Sequence, residues 1–300
     1  MNPSHKTGIL LLAALLCSTG MMSSQSPDVY SLRRETVLEK TGGGIIILPG
    51  KMRTPYGHMD ESSSKYFYYL TGWNAGGAMM MIEPGRKPVY SLFITPRDPS
   101  RDAWDSSNPG LSEATGRYKA DTAYPFSSFR NIISERLKNY DTVWYISSSK
   151  LMYETLSSIL PPDNKMVVMD LRNILKEQRI VKDEYEIRCL KKAIETTAEA
   201  QIRAMMLAEE GRWEYELEAA IEHTFRSMGC DGPGFTTIIG SGPNSTVLHY
   251  DANENRLKNG DVIVMDIGAE YKGYTADITR TIPVSGTFTP DRKGSRWYAR

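Results

Sequence analysis

Asp266 and Asp277 are the residues whose type and spacing first point to chemistry. They flank Lys272-Gly273, a two-residue hairpin signal. With the turn there, Tyr271 faces Tyr274, Gly268 faces Asp277 and Asp266 faces Thr279. Side chains alternate with a period of two, so both aspartates leave the same face of the ribbon. They become diagonal neighbours about 7–8 Å apart at the backbone. Two carboxylates converging from there could bridge a pair of metal ions about 3.5–4 Å apart. A register slip of one residue would put them on opposite faces. The run Val262-Ile263-Val264-Met265 is apolar on both faces before Asp266, and a carboxylate ending a buried strand needs a partner or a cation. Spacing alone leaves open an ion pair with Arg280 or Lys272. Hard oxygen donors suit manganese, magnesium or zinc without choosing among them. His249 lies in Val247-Leu248-His249-Tyr250 and is one of 4 histidines. Alone it reads as a core group; beside the carboxylates it could orient or protonate a substrate.

The elements that must position these residues come from the hydrophobic pattern. Gly44–Leu48 reads as an apolar strand, Tyr66–Leu70 as an aromatic strand, and Ala78–Ile82 with Val89–Thr95 as a strand pair turning at Pro84-Gly85. Phe129–Leu137 and Leu151–Leu160 read as helices, Thr142–Ile146 and Met166–Met169 as strands, the last buried. Strands alternating with helices make a layered α/β unit. A boundary is expected between Asp170 and Asp183. Two long helices follow, one with Ile187, Leu190, Ile194 and Ile202 at helical spacing, the next with Leu217, Ile221, Phe225 and Met228. The charges from Lys182 to Lys192 read as a solvated face, and Gly229 stops the second helix. Thr236–Ile239 is a strand before a Gly240–Pro243 loop. Val262–Tyr271 and Tyr274–Val284 form the hairpin.

Composition sets the outer limits. The 300 residues are 40% hydrophobic and 24% charged, ordinary globular values that exclude collagen-like and disordered classes. Lys+Arg and Asp+Glu both number 36, so the basic surplus of a nucleic-acid binder is missing. The apolar run Ile9–Cys17 after Lys6 falls short of the roughly 20 residues that span a bilayer. With Ser18, Thr19 and Gly20 behind it, residues 1–22 read as a signal peptide. The expectation is export to a periplasmic or secreted location, with no membrane association after cleavage. Cys17 offers a lipidation alternative, though Leu16 stands where a small residue is expected. Cys189 and Cys230 read equally as a pair or as buried free thiols.

At this point the residues carry a resemblance. Leu248-His249-Tyr250, then Asn259 through Thr281 with Met265-Asp266-Ile267-Gly268 and Thr275-Ala276-Asp277-Ile278-Thr279-Arg280-Thr281, resemble the pita-bread metallopeptidases, closest to the Xaa-Pro aminopeptidases. Ile46–Gly50, Phe67–Gly72 and Leu92–Asp98 resemble that family's N-terminal domain, and Arg179, Lys182, Asp183 and Glu186-Ile187 its entry to the catalytic domain. The resemblance implies an α/β (α+β) chain with a creatinase/aminopeptidase P-like domain over 27–172 and the first half of a pita-bread domain over 173–290. It implies two divalent metal ions, manganese first with zinc or cobalt as alternatives. Asp266 would hold one ion, Asp277 would bridge both, and His249 would lie beside the substrate as the catalytic residue. The substrates implied are peptides with proline in second position. Proline has no amide N–H and a fixed φ, so ordinary peptidases handle this bond poorly.

The sequence also departs from the pattern. The family takes a histidine and two glutamates from a later segment. Here no histidine follows His249, no glutamate follows Glu270, and residues 291–300 read as an atypical basic tail. The expectation is therefore an incomplete catalytic domain with impaired activity and a weakened metal site. Around Trp104 the chain has Asp102 and Asp105-Ser106-Ser107, and Glu61-Ser62-Ser63-Ser64 replaces an arginine- and glutamine-bearing stretch, which loosens the specificity assignment. Alternatives are completion by a separate C-terminal chain, a non-catalytic binding or oligomerisation protein, and a prolidase-type dipeptidase. A homodimer or homotetramer is expected by resemblance.

Overall fold

The glycine triplet Gly42–Gly44 takes positive φ angles of 63°, 122° and 82°, and this loop delivers the chain from helix α1 (Pro27–Thr41) into strand β1 (Ile45–Pro49). Gly44 has a packing reason too, because a Cβ there would come within 2.8 Å of the Thr142 carbonyl. The computed structural model describes residues 27–53, 59–60, 63–97, 100, 109–161 and 163–288. The export segment with Cys17, Glu61-Ser62, the Trp104 stretch and the tail 291–300 lie outside the described residues.

After the short pair β2 (Met52–Arg53) and β3 (Met59–Asp60) come α2 (Ser64–Thr71), β4 (Ala78–Ile82), β5 (Tyr90–Ile94), α3 (Leu111–Tyr118) and β6 (Thr122–Pro125). Then follow α4 (Phe129–Leu137), β7 (Thr142–Tyr145), α5 (Lys150–Ile159), β8 (Val167–Asp170) and α6 (Arg172–Ile180). Six strands form one mixed sheet in the order β6-β5-β4-β1-β7-β8. The expected pair β4–β5 is antiparallel, with Ala78 opposite Ile94 and Ile82 opposite Tyr90. Alternation sends Ile46, Leu48, Met80 and Leu92 to one face, against Phe67, Leu70, Trp73 and Leu175. It sends Ile45, Ile47, Met79 and Phe93 to the other, against Phe129, Ile133, Met152 and Leu156. Helices cover both faces, so β1, β4 and β5 are buried throughout.

Two expectations are corrected here. Tyr66–Leu70 is not a strand but the body of α2. Phe67 and Leu70 share a buried face three residues apart, and Gly72, which read as the end of a strand, is the left-handed cap of a helix at φ 74°. Aromatic content favours strands only where packing agrees. Strand β8 is not buried; it is the sheet's edge, with Val167 and Val168 both 51% exposed. Leu171 and, from helix α6, Leu175 pack in the N-terminal core, within the Asp170–Asp183 interval expected for the boundary. The change of core therefore falls at 181–183.

The second unit starts from a capping box. Asp183 accepts from the Glu186 N–H at 2.9 Å, and Glu186 accepts from the Asp183 N–H at 3.0 Å. Arg33 of α1 reaches the same Asp183 at 2.6 Å and fastens the two units together. Helices α7 (Glu184–Leu207) and α8 (Glu214–Ser227) follow. The helical spacing of Ile187, Leu190, Ile194 and Ile202 is present, but the face it marks looks outward: Ile187, Ile194 and Ile202 are exposed. The buried face holds Cys189, Ala193, Thr196, Thr197, Ala200 and Ala204. Small side chains let α7 approach the strands closely enough for Gln201 to donate to the Met265 and Ile278 carbonyls and for Thr197 to accept from the Ala269 N–H. Cys189 and Cys230 are both buried free thiols. The charges expected as a solvated face include one buried exception, Glu186, which also accepts from the Tyr274 hydroxyl.

The remaining strands are β9 (Gly232–Pro233), β10 (Ile238–Ser241), β11 (Val262–Ile267), β12 (Ala269–Tyr271), β13 (Tyr274–Thr275) and β14 (Ile278–Pro283). They form two three-stranded sheets, β10-β11-β14 and β13-β12-β9. Strand β10 begins two residues later than expected and runs through Gly240, and a short 3-10 turn over Gly242–Thr246 takes the place of the tight loop.

Candidate metal-binding cleft

Strand β11 alternates half-buried and buried residues along its length. Ile263, Met265 and Ile267 pack beneath α7 and α8, with Leu217, Ile221 and Phe225. Val262, Val264 and Asp266 therefore leave the opposite face. The partner strand β14 pairs with Asp266 opposite Thr279, the expected register, and Tyr271 stands opposite Tyr274. The turn is built as its sequence requires, with Lys272 at φ 51° and Gly273 at φ 78°.

The two long hairpin strands are each broken, a departure from the continuous ribbon read from the sequence. Gly268 lies between β11 and β12, and Ala276-Asp277 between β13 and β14. A Cβ on Gly268 would lie 1.8 Å from the Ala276 carbonyl oxygen, so only glycine allows the strands to come this close. Past the break, β12 leaves its first sheet and pairs with β9, Glu270 opposite Gly232.

Asp266 and Asp277 line one cleft of about 400 Å³, and His249 lines it with them. The other walls are Phe235, Thr236, Ile238 and Asp251. Asp266 accepts a hydrogen bond from the Thr279 hydroxyl at 2.8 Å, which fixes one carboxylate oxygen. Among the described residues it forms no ion pair with Arg280 or Lys272. The Arg280 guanidinium instead donates to the Thr279 carbonyl at 2.7 Å. The cleft thus gathers three carboxylates and an imidazole, a donor set that suits a hard divalent cation in kind. It falls short in number: among the described residues no three His, Cys, Asp or Glu side chains stand close enough to share one ion. A second cleft, at the junction of the two units, is lined by Lys51, Lys65, Tyr68, Arg179, Glu270 and Tyr274 and contains none of the three candidate residues.

Asp251, Thr279 and the apolar wall of Phe235 and Ile238 were missed in the sequence. Thr279 could have been found, since the hairpin register already set it opposite Asp266. Asp251 carried a weaker signal, two residues beyond His249 in an irregular segment. Ile238 stands opposite Asp266 on the neighbouring strand β10, and Phe235 lies in the bend between β9 and β10, a pairing that no local pattern announces.

Residues 188–299 match the model of metallopeptidase family M24, and residues 30–144 match that of the aminopeptidase P N-terminal domain. The chain is 32% identical over 284 residues to an Xaa-Pro aminopeptidase of Escherichia coli (strain K12), covering 89% of this chain and 64% of the relative. It is 32% identical over 229 residues to one of Haemophilus influenzae, covering 76% of this chain and 53% of the relative. Among solved structures, Pseudomonas aeruginosa aminopeptidase PepP superposes with a TM-score of 0.82 at 32% identity, over 91% of this chain and 65% of that one. Zinc-substituted Escherichia coli aminopeptidase P in complex with product also gives 0.82, at 29% identity, over 90% of this chain and 65% of that one. The chain therefore spans less than two thirds of the length of each of these relatives.

Proposed function

Because the chain belongs to the M24 metallopeptidases of the aminopeptidase P type, whose members use a dinuclear divalent metal centre, we propose that it serves Xaa-Pro aminopeptidase chemistry: hydrolysis of the bond between an N-terminal residue and a following proline. The observation that carries this reading is the single cleft holding Asp266, Asp277 and His249 on the open face of β11. Asp266 and Asp277 would supply carboxylate oxygens to the metal ions, manganese first by resemblance. Ions bound there supply a lowered water pKa and carbonyl polarisation. Thr279 holds Asp266 in one orientation, and Phe235 with Ile238 gives the cleft an apolar wall suited to a pyrrolidine ring. His249, exposed at the cleft, would hydrogen-bond the substrate or pass a proton to it. Export of the protein, read from residues 1–22, is part of the same proposal.

The described donors would hold metal weakly alone, since a carboxylate pair short of further ligands repels itself. One second reading is a non-catalytic binding or oligomerisation member, here tested as a peptide binder. Release of glycine from Gly-Pro-Pro separates the two. The chain is stripped with EDTA, reloaded with Mn²⁺, Zn²⁺ or Co²⁺, and assayed alone and with a polypeptide covering the rest of the relatives' length. Metal-dependent release that disappears in Asp266→Asn and Asp277→Asn supports the peptidase. Peptide binding without release under every condition supports the second reading. Cleavage of Gly-Pro but not Gly-Pro-Pro would replace both with a dipeptidase.

A further inference from the structure

His249 and Asp251 line the cleft, and the residue between them does not. Tyr250 turns the other way. Its hydroxyl donates to Oε2 of Glu214 at 2.8 Å and accepts from the Glu254 N–H at 3.2 Å. Glu214 opens helix α8 and is fully buried. Its Oε1 accepts from both the N–H and the hydroxyl of Ser241, at 2.7 and 2.6 Å, and its Oε2 also accepts from the Asn255 N–H at 2.8 Å. A carboxylate has about four lone-pair sites, and here each has a donor. Among the described residues the Glu214 carboxylate has no cationic partner, and these hydrogen-bond donors alone surround it.

The segment that carries His249 has little else to hold it. Between Val247 and Asn255 the backbone makes a turn at Leu248-His249 and pairs with no strand. On one side Val247 is tied back to Asn244 through its N–H. On the other, Asn253 is buried at φ 49° and bonds like a strand, accepting from the Ile239 N–H at 2.9 Å and donating to the Thr237 carbonyl at 2.8 Å. Between these anchors, the Tyr250 hydroxyl is the contact that reaches the core. Ordering such a segment costs conformational entropy, which the contact must offset. Burial, and then the bond to Glu214, push the Tyr250 pKa up, so the hydroxyl keeps its proton and stays a donor.

We propose that Tyr250 and Glu214 are positioning residues: their hydrogen bond clamps the 248–252 segment against α8 and so aims His249 and Asp251 into the cleft. The functional meaning of the clamp rests on His249 facing the substrate. The clamp itself rests only on the contacts above.

Tyr250→Phe removes one hydroxyl and leaves the ring and three of Glu214's donors. The test uses the full chain in EDTA, with no peptide. It measures ¹⁵N relaxation at the His249 and Asp251 amides and the imidazole resonances of His249, with His223 on α8 as internal control. Order parameters at both amides should fall from near 0.85 to below about 0.6. The His249 ring signals should move toward those of free histidine while His223 stays put. Unchanged order at His249 and Asp251 overturns the clamp. Glu214→Gln is the second variant, since it sets an amide N–H₂ against donors. It should loosen the same two amides along with its loss of thermal stability. A lower Tm with both amides still ordered would make the network merely structural and defeat the proposal. These readouts need neither metal nor turnover, so a failed peptidase assay sinks the functional reading and leaves the clamp to be judged separately. In any assay with turnover, Tyr250→Phe should lower kcat more than it raises KM, because Phe235 and Ile238 still form the wall.

Discussion

Helices cover the six-stranded sheet of the N-terminal unit on both faces, whereas among the described residues helices cover the sheet that carries Asp266 on one. In β1, β4 and β5 every residue is buried. In β11 alternate residues anchor the strand against α7 and α8, and on the opposite face Asp266 lines a cleft. The difference teaches how one chain divides labour. A sheet closed on both sides gives rigidity, and a sheet closed on one side gives a rigid base from which carboxylates can reach solvent. The close approach of α7 serves that base, because Gln201 and Thr197 tie the helix directly to strand backbone.

The largest test of this contrast is truncation of facing positions. Ile46→Ala should cost about 2–5 kcal/mol in urea denaturation, as for a fully enclosed aliphatic. Val264→Ala, on the open face of β11, should cost about 1 kcal/mol or less. Equal losses would mean that the open face is packed after all. Next in size is Gly268→Ala, whose Cβ has no room beside Ala276. Overpacking of this kind costs about 1–3 kcal/mol, and the strands must part, so Mn²⁺ binding should fall with stability; retained binding would show that the break in the hairpin is not what brings the aspartates together. Thr279→Val should leave urea stability almost unchanged yet weaken Mn²⁺ binding roughly 10-fold by calorimetry, because it frees the Asp266 carboxylate. The smallest effect sharpens the reading of α7. Ile194→Glu, on the exposed face, should stay within about 0.5 kcal/mol of wild type, while the neighbouring Ala193→Leu, on the face against the strands, should lose about 1–3 kcal/mol.

Much of the site was legible because it is local. Lys272-Gly273 fixes the turn, the turn fixes the register, and the register sets Asp266 opposite Thr279 by counting alone. The same locality explains β4–β5 and the stop of α8 before Gly229. Errors arose where a pattern has two physical meanings. An aromatic run is a strand or a helix according to what packs on it, and Tyr66–Leu70 is a helix because Phe67 and Leu70 meet one core. Aliphatics at helical spacing mark a helix, but in α7 they do not mark its buried side.

What the sequence determined alone was the hairpin, its register and the placing of both aspartates on one face, since each follows from backbone geometry over a few residues. It also determined the order of the two units, through motifs that are contiguous in the chain. The tertiary structure decided what those aspartates share their cleft with: His249 and Asp251 arrive on an irregular segment, and Phe235 and Ile238 from other parts of the fold. It also decided that Glu214, an ordinary glutamate by its sequence position, is buried with four donors. Those facts depend on contacts between residues far apart in the chain, and no local periodicity encodes them.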